Sequence, residues 1–144
     1  MKKWILLLSL TALFAQSGET TLSPVVTYWK TLSAEEREIF LFSYLTQVYE
    51  THNELKQSEG YGDVTEWYYT HRAELVYGIF DKMDVITTGD MIKWIDEFYS
   101  HGEYANRPFY EALEFAYRFS EASGATLWEK YENLKFDSIK PDKD

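Results

Sequence analysis

The stretch NRPFYEALEFAYRFSEASG, Asn106 to Gly124, constrains the fold more than any other part of the chain. At ~100° per residue, Phe109, Tyr110, Ala112, Leu113, Phe115, Ala116, Tyr117 and Phe119 cover most of a helix circumference. Glu111, Glu114 and Arg118 leave one thin polar stripe, and Glu114 and Arg118 form an i,i+4 pair. A helix apolar on so many sides needs partners on several sides. It is predicted to be the central helix of a bundle. Asn106 or Arg107 is expected to cap it, with Pro108 in the first turn and Gly124 as a left-handed C-terminal cap.

The partners are marked by start signals. Ser23-Pro24 opens a short helix towards Lys30 that carries Tyr28 and Trp29. Ser33-Ala34-Glu35-Glu36 is a capping box, so a long helix should run from Ala34 to about Lys56. Its apolar face holds Leu41, Leu45, Val48 and Leu55. Gly60-Tyr61-Gly62 breaks the chain. Asp63-Val64-Thr65-Glu66 reads as a second box, starting a helix that ends near Met83. A third, Thr87-Thr88-Gly89-Asp90, opens a helix that His101-Gly102 ends. Met91, Ile92, Trp94, Ile95, Phe98 and Tyr99 form its apolar arc, and Lys93, Asp96 and Glu97 its polar one. A last short helix is expected from Ala125 to about Lys135. No stretch alternates with period 2 over a useful length. The predicted fold is a compact all-α single domain over residues 18–136, a bundle of five or six helices without a sheet. A polar tail follows from Asp137 to Asp144.

The chain contains no cysteine. That excludes thiolate catalysis, cysteine metal sites and disulfides. Packing must hold the fold, and nine Phe, twelve Tyr and five Trp among 144 residues supply it. At the N-terminus, Lys2 and Lys3 precede an apolar run from Trp4 to Phe14, followed by Ala15-Gln16-Ser17. This pattern predicts a secretory signal peptide over residues 1–17, cut after Ser17. The alternative is an N-terminal membrane anchor, but the run falls short of the ~20 residues a spanning helix needs. Periplasmic or secreted localisation follows, with no membrane span after cleavage. The formal charge of −10 becomes more acidic once Lys2 and Lys3 are lost. Such a surface repels phosphate backbones, so nucleic acid is not expected as a partner, whereas a basic protein or a cation would suit it.

Motifs for familiar chemistries are absent: no HExxH, Walker loop, GxGxxG or GxSxG. Tyr49, Tyr68 and Phe98 stand three before His52, His71 and His101, so no Glu-x-x-His di-iron site exists. Asp81-Lys82-Met83-Asp84 before Gly89 fails as a calcium loop, because Met83 and Val85 occupy ligand positions. No cofactor or metal is expected. Two polar residues fall on apolar faces: His52 in line with Leu41, Leu45 and Val48, and Arg72 between Tyr68, Val76 and Ile79. They read either as satisfied core groups, with the Arg72 stem lying on aromatics, or as a polar pocket that Tyr49 and Tyr68 line. His71 with Glu74 reads as a solvated pair rather than a metal site. Asp96 beside Glu97 reads as a solubility feature. Of Trp67, Tyr68 and Tyr69, at least one must face solvent, where it could bind a sugar or a protein.

Two segments, YWKTLSAEEREIFLFSYLTQVYE and ITTGDMIKWIDEFYSHGEYANRPFYEALEFA, resemble small exported bacterial helical proteins of unknown function. More distantly, the order of elements is similar to the periplasmic immunity proteins that neutralise amidase toxins of type VI secretion. Thr87, Asp90, Tyr99, Asn106, Arg107, Pro108 and Ala112 carry the match. The resemblance implies a non-enzymatic protein acting through protein contact in the envelope. The competing expectation is a small-ligand binder or enzyme with a polar pocket near His52 and Arg72.

Overall fold

Ser23 and Ser33 start the first two helices by the same device. Ser23 Oγ accepts the Val26 N–H at 3.2 Å and opens α1 (Pro24–Thr31). Ser33 opens α2 (Ala34–Ser58), and its box closes in both directions. Ser33 Oγ accepts the Glu36 N–H at 3.3 Å, while the Glu36 carboxylate accepts the Ser33 N–H at 2.7 Å. These bonds favour the ionised form and hold the Glu36 carboxyl below its ordinary range. The computed structural model describes residues 22–137, and among them every regular element is helical and none is a strand. The signal peptide expected over residues 1–17 and the tail beyond Asp137 lie outside the described residues.

The second expected box does not form. Helix α3 (Asp63–Tyr68) takes Gly62 as its N-cap, which has no side chain to accept a hydrogen bond, and Asp63 becomes the first helical residue. The helix then continues through a π turn, Tyr69–Ala73, into α4 (Glu74–Asp81). A π turn carries an extra residue, which rotates the α4 side chains about the helix axis. Ala73, not Arg72, takes the fully buried position. The third start is half a box. Thr87 Oγ1 accepts the Asp90 N–H at 3.1 Å and opens α5 (Thr88–Ser100), but the Asp90 carboxylate turns to the Thr87 hydroxyl instead of the backbone.

A 3₁₀ turn, Gly102–Tyr104, leads to α6 (Phe109–Glu121), and α7 (Leu127–Asp137) comes last. Counting α3, the π turn and α4 as one body, the described residues hold the six helices at the upper end of the expectation. Neither Asn106 nor Arg107 caps α6; Pro108 stands at that position without a side-chain bond, and Arg107 pairs with Glu111 at 2.6 Å. Gly124 is not the C-terminal cap either, since Ala122 holds that place. Gly124 has φ +138°, and a Cβ there would lie 2.8 Å from Glu129 Cβ, so glycine lets the chain fold back against α7.

Helix α6 is packed from several directions, as its composition requires. Ala112, Leu113 and Ala116 are fully buried. Helix α5 runs along it, with Trp94 on Phe119 at 5.2 Å and Phe98 on Phe115 at 5.4 Å between ring centroids. Phe109 sits where three elements meet, 5.3 Å from Trp29, 5.3 Å from Phe40 and 5.0 Å from Tyr44. Such tilted and edge-on aromatic pairs add ~0.5–1.5 kcal/mol each beyond area burial. On the α4 side, Gly78 permits close approach: a Cβ there would meet the Tyr117 hydroxyl at 3.0 Å.

One polar expectation is overturned. Asp96 is a structural tie rather than a solubility residue. Its carboxylate accepts from Trp29 Nε1 at 2.8 Å and from Arg37 at 2.8 Å, and the Arg37 guanidinium stands 5.5 Å from the Trp29 ring. This joins α1, α2 and α5 around a tryptophan that is almost fully buried. Among the described residues, no helix is long and apolar enough to cross a membrane.

Candidate functional site

The π turn lies beside the C-terminal half of α2, and a groove of about 580 Å³ opens between them. His52, Thr65 and Tyr77 form its inner surface. Tyr61 and Tyr69 stand as walls, and Lys56, Glu66 and Asp81 as a charged rim. His52 comes from the apolar face of α2 and is 6% exposed. Its Nδ1 is 3.0 Å from the Tyr77 hydroxyl. The imidazole packs edge-on to Tyr77 at 5.6 Å and tilted against Tyr69 at 5.3 Å. Burial, and then the nearby Lys56 charge, push its pKa below the ordinary histidine value. The ring is therefore neutral at pH 7. One nitrogen is engaged with Tyr77, and among the described residues Nε2 has no protein partner. Thr65 is 1% exposed, and its hydroxyl has no hydrogen-bond partner among the described residues. An orphaned buried hydroxyl is uncommon and costs stability.

The structure separates the four residues expected to share a pocket. His52 alone lines the groove. Tyr49 packs behind it, 5.2 Å from Tyr77 and 5.9 Å from Phe80. Tyr68 is half-buried against the core. Arg72 lies elsewhere, 4.7 Å over the Tyr110 ring of α6 and 6.0 Å from the Trp67 ring, with one N–H donated to the His71 carbonyl at 2.6 Å. The extra residue of the π turn accounts for this: it swings Arg72 out of the arc in which a regular helix would place it. Arg72 thus rests on aromatics and reaches solvent.

The sequence does not single out Thr65 or Tyr77. Thr65 falls within an apparent cap, and Tyr77 carries no local signal, since it meets His52 only across the helix–helix contact. His71 is also not poised for a metal. Its Nδ1–H donates to the Trp67 carbonyl at 2.8 Å, and its ring stacks on Trp67 at 4.7 Å and 18°. Among the described residues, no three His, Asp or Glu side chains converge as a metal site. In the segment that fails as a calcium loop, Lys82 pairs with Glu121 and Asp81 belongs to the groove rim.

The same helix presents a second feature to solvent. Val64, Trp67 and His71 succeed one another at helical spacing, all exposed. Trp67 is 54% exposed, yet its ring stacks on His71 and has the Arg72 guanidinium 6.0 Å from its centroid. Elsewhere, Tyr104, Phe115, Phe119, Trp128 and Tyr131, with Glu97 and Glu103, line an apolar groove of about 440 Å³. Chemically, the His52 groove offers hydrogen bonds and aromatic faces. The imidazole bonds the Tyr77 phenol and not the Thr65 hydroxyl, so threonine and histidine do not form an activated nucleophile. No family model, characterised protein or solved structure matches this chain significantly.

Proposed function

We propose that this chain is an exported, non-enzymatic helical protein of the bacterial envelope that acts through contact with another protein, as an immunity-like protein or an interaction module. The observation that carries the reading is Trp67, an exposed tryptophan whose ring stacks on His71 and lies 6.0 Å from the Arg72 guanidinium. Tryptophan, tyrosine and arginine dominate binding energy at protein interfaces. A side chain ordered before binding loses little rotamer entropy on contact. With Tyr110 under Arg72 and Val64 one turn away, the surface has an aromatic and cationic anchor within a strongly acidic protein. A partner with an apolar pocket rimmed by basic groups fits both features. In the groove, the His52 imidazole and the unpaired Thr65 hydroxyl are not arranged as base and nucleophile.

Export rests on the order Lys2-Lys3, Trp4 to Phe14, Ala15-Gln16-Ser17. Mass spectrometry of the protein exported by its native host should find a chain beginning at Gly18; retention of Met1 in that fraction would sink the export reading. The contact is tested by placing a photo-crosslinking amino acid at position 67 and, as a control, at the exposed Glu50 of α2. Position 67 should yield one discrete adduct in envelope fractions and position 50 none. The purified partner should then bind Trp67→Ala at least ~30-fold more weakly, the ~2 kcal/mol of an interface anchor. Equal adducts at both positions would remove the reading.

A further inference from the structure

We propose that the groove between α2 and the α3–α4 body is a binding site for a small, neutral, polyhydroxylated ligand, a saccharide of one or two rings. The proposal goes beyond the protein-contact reading and does not depend on it, because Trp67 and Arg72 are not part of the groove.

Two observations point to an occupant. Thr65 carries a buried hydroxyl that no described protein group satisfies, at the inner surface of an open groove. His52 is nine-tenths buried, with Nδ1 engaged by Tyr77 and Nε2 without a partner among the described residues. A buried hydroxyl left over in this way calls for a partner, and Nε2, which is not closed off from solvent, is open to one. The volume of about 580 Å³ lies within the range of small-molecule sites.

The chemistry of the lining selects the class. Tyr61 and Tyr69 present aromatic faces at the mouth, with Tyr77 further in; such faces take up the C–H face of a sugar ring as they do other apolar surface. The inner hydrogen-bonding groups are an imidazole and an alcohol, both neutral. Whichever tautomer His52 adopts, its free nitrogen is either a donor or an acceptor. A ligand hydroxyl serves either role, and it also serves Thr65. The rim carries charges of both signs, Lys56 against Glu66 and Asp81, so it matches no simple anion and offers both donors and acceptors to a neutral ligand. Among the described residues these three charges form no ion pair with one another, so they remain available to bond sugar hydroxyls at the edge.

The test is a titration of the purified, isotope-labelled protein with glucose, galactose, N-acetylglucosamine and maltose, monitored by NMR, with choline as a cationic and acetate as an anionic probe. At least one saccharide should give saturable shifts confined to His52, Thr65, Tyr69, Tyr77 and their neighbours, and saturation transfer should reach its ring C–H protons. Tyr69→Ala, an exposed change that leaves the core intact, should weaken binding at least tenfold. Thr65→Val should do the same while melting no lower than the parent, a combination that a purely structural threonine does not produce. Arg72→Ala should leave the affinity unchanged. No saturable groove response to any of the four saccharides overturns the proposal. So does binding that survives Tyr69→Ala, or a response to choline or acetate in place of the sugars.

Discussion

Two halves of this molecule meet on α2 and are built differently. In the half made by α5 and α6, small and aromatic residues interlock. Ala112, Leu113, Ala116 and Ile95 are fully buried, and every buried side-chain polar atom described there is satisfied. In the half made by the C-terminal part of α2 and the α3–α4 body, the contact contains a buried histidine, an orphaned threonine hydroxyl, a π turn and a groove. The first half supplies stability. The second gives some of it up, and the places where a structure departs from local consistency are where function is to be sought.

The contrast can be broken most directly at Leu113. Leu113→Ala should cost ~2–5 kcal/mol through lost burial and a residual cavity, and Ala116→Leu ~1–3 kcal/mol because the α5–α6 contact has no room for added methylenes. Glu111→Ala, on the wet stripe and paired with Arg107, should cost only a few tenths, as exposed pairs do. Denaturant midpoints with unchanged slopes would measure all three; similar losses at Leu113 and Glu111 would mean that α6 is not the packed centre.

A smaller effect is expected at the seam, where Asp96→Ala should cost about 1–2 kcal/mol. It removes charge-assisted bonds to Arg37 and the buried Trp29 indole, discounted because the carboxylate is 41% exposed. Trp29 fluorescence should shift with it, and an unchanged melting curve would show that α1 is held by packing alone.

The polar half should respond with the opposite sign. Thr65→Val removes an unsatisfied buried hydroxyl at nearly constant shape, so it should stabilise the fold by up to ~1 kcal/mol. A loss of that size instead would mean that the hydroxyl is satisfied in solution.

The smallest effect is the pH response of His52. Its folded pKa lies below the ordinary 6.5 because of burial and then Lys56, so the unfolded chain takes the proton first. Stability should be level above about pH 6.5 and should decline as pH falls from there through the folded pKa. Urea midpoints between pH 7.5 and 5 should therefore fall in the parent and fall less in His52→Gln. Parallel slopes in both would place the effect elsewhere.

How much of this can be read from the chain alone depends on the range of each interaction. The helices, the Ser33 box, the Ser23 start and the several-sided packing of α6 rest on i,i+3 and i,i+4 relations, which a sequence displays directly. The burial of His52 is legible for the same reason, since it continues the face of Leu45 and Val48. The second capping box fails because Gly62 displaces the helix start by one residue. Arg72 leaves its expected arc because a wheel of 3.6 residues per turn does not describe a segment that winds as a π turn. Such a turn is set by the neighbours it packs against and leaves no periodic mark. Asp96 looks like any wet carboxylate until Trp29, 67 positions away, is brought against it. Tyr77 meets His52 across 25 positions. The sequence by itself therefore determined that this protein is all helical, where most of its helices begin, and which helix the others surround. Only the tertiary structure decided how those helices are rotated against one another, and with that which polar groups share a groove, because that rotation depends on packing between residues far apart in the chain.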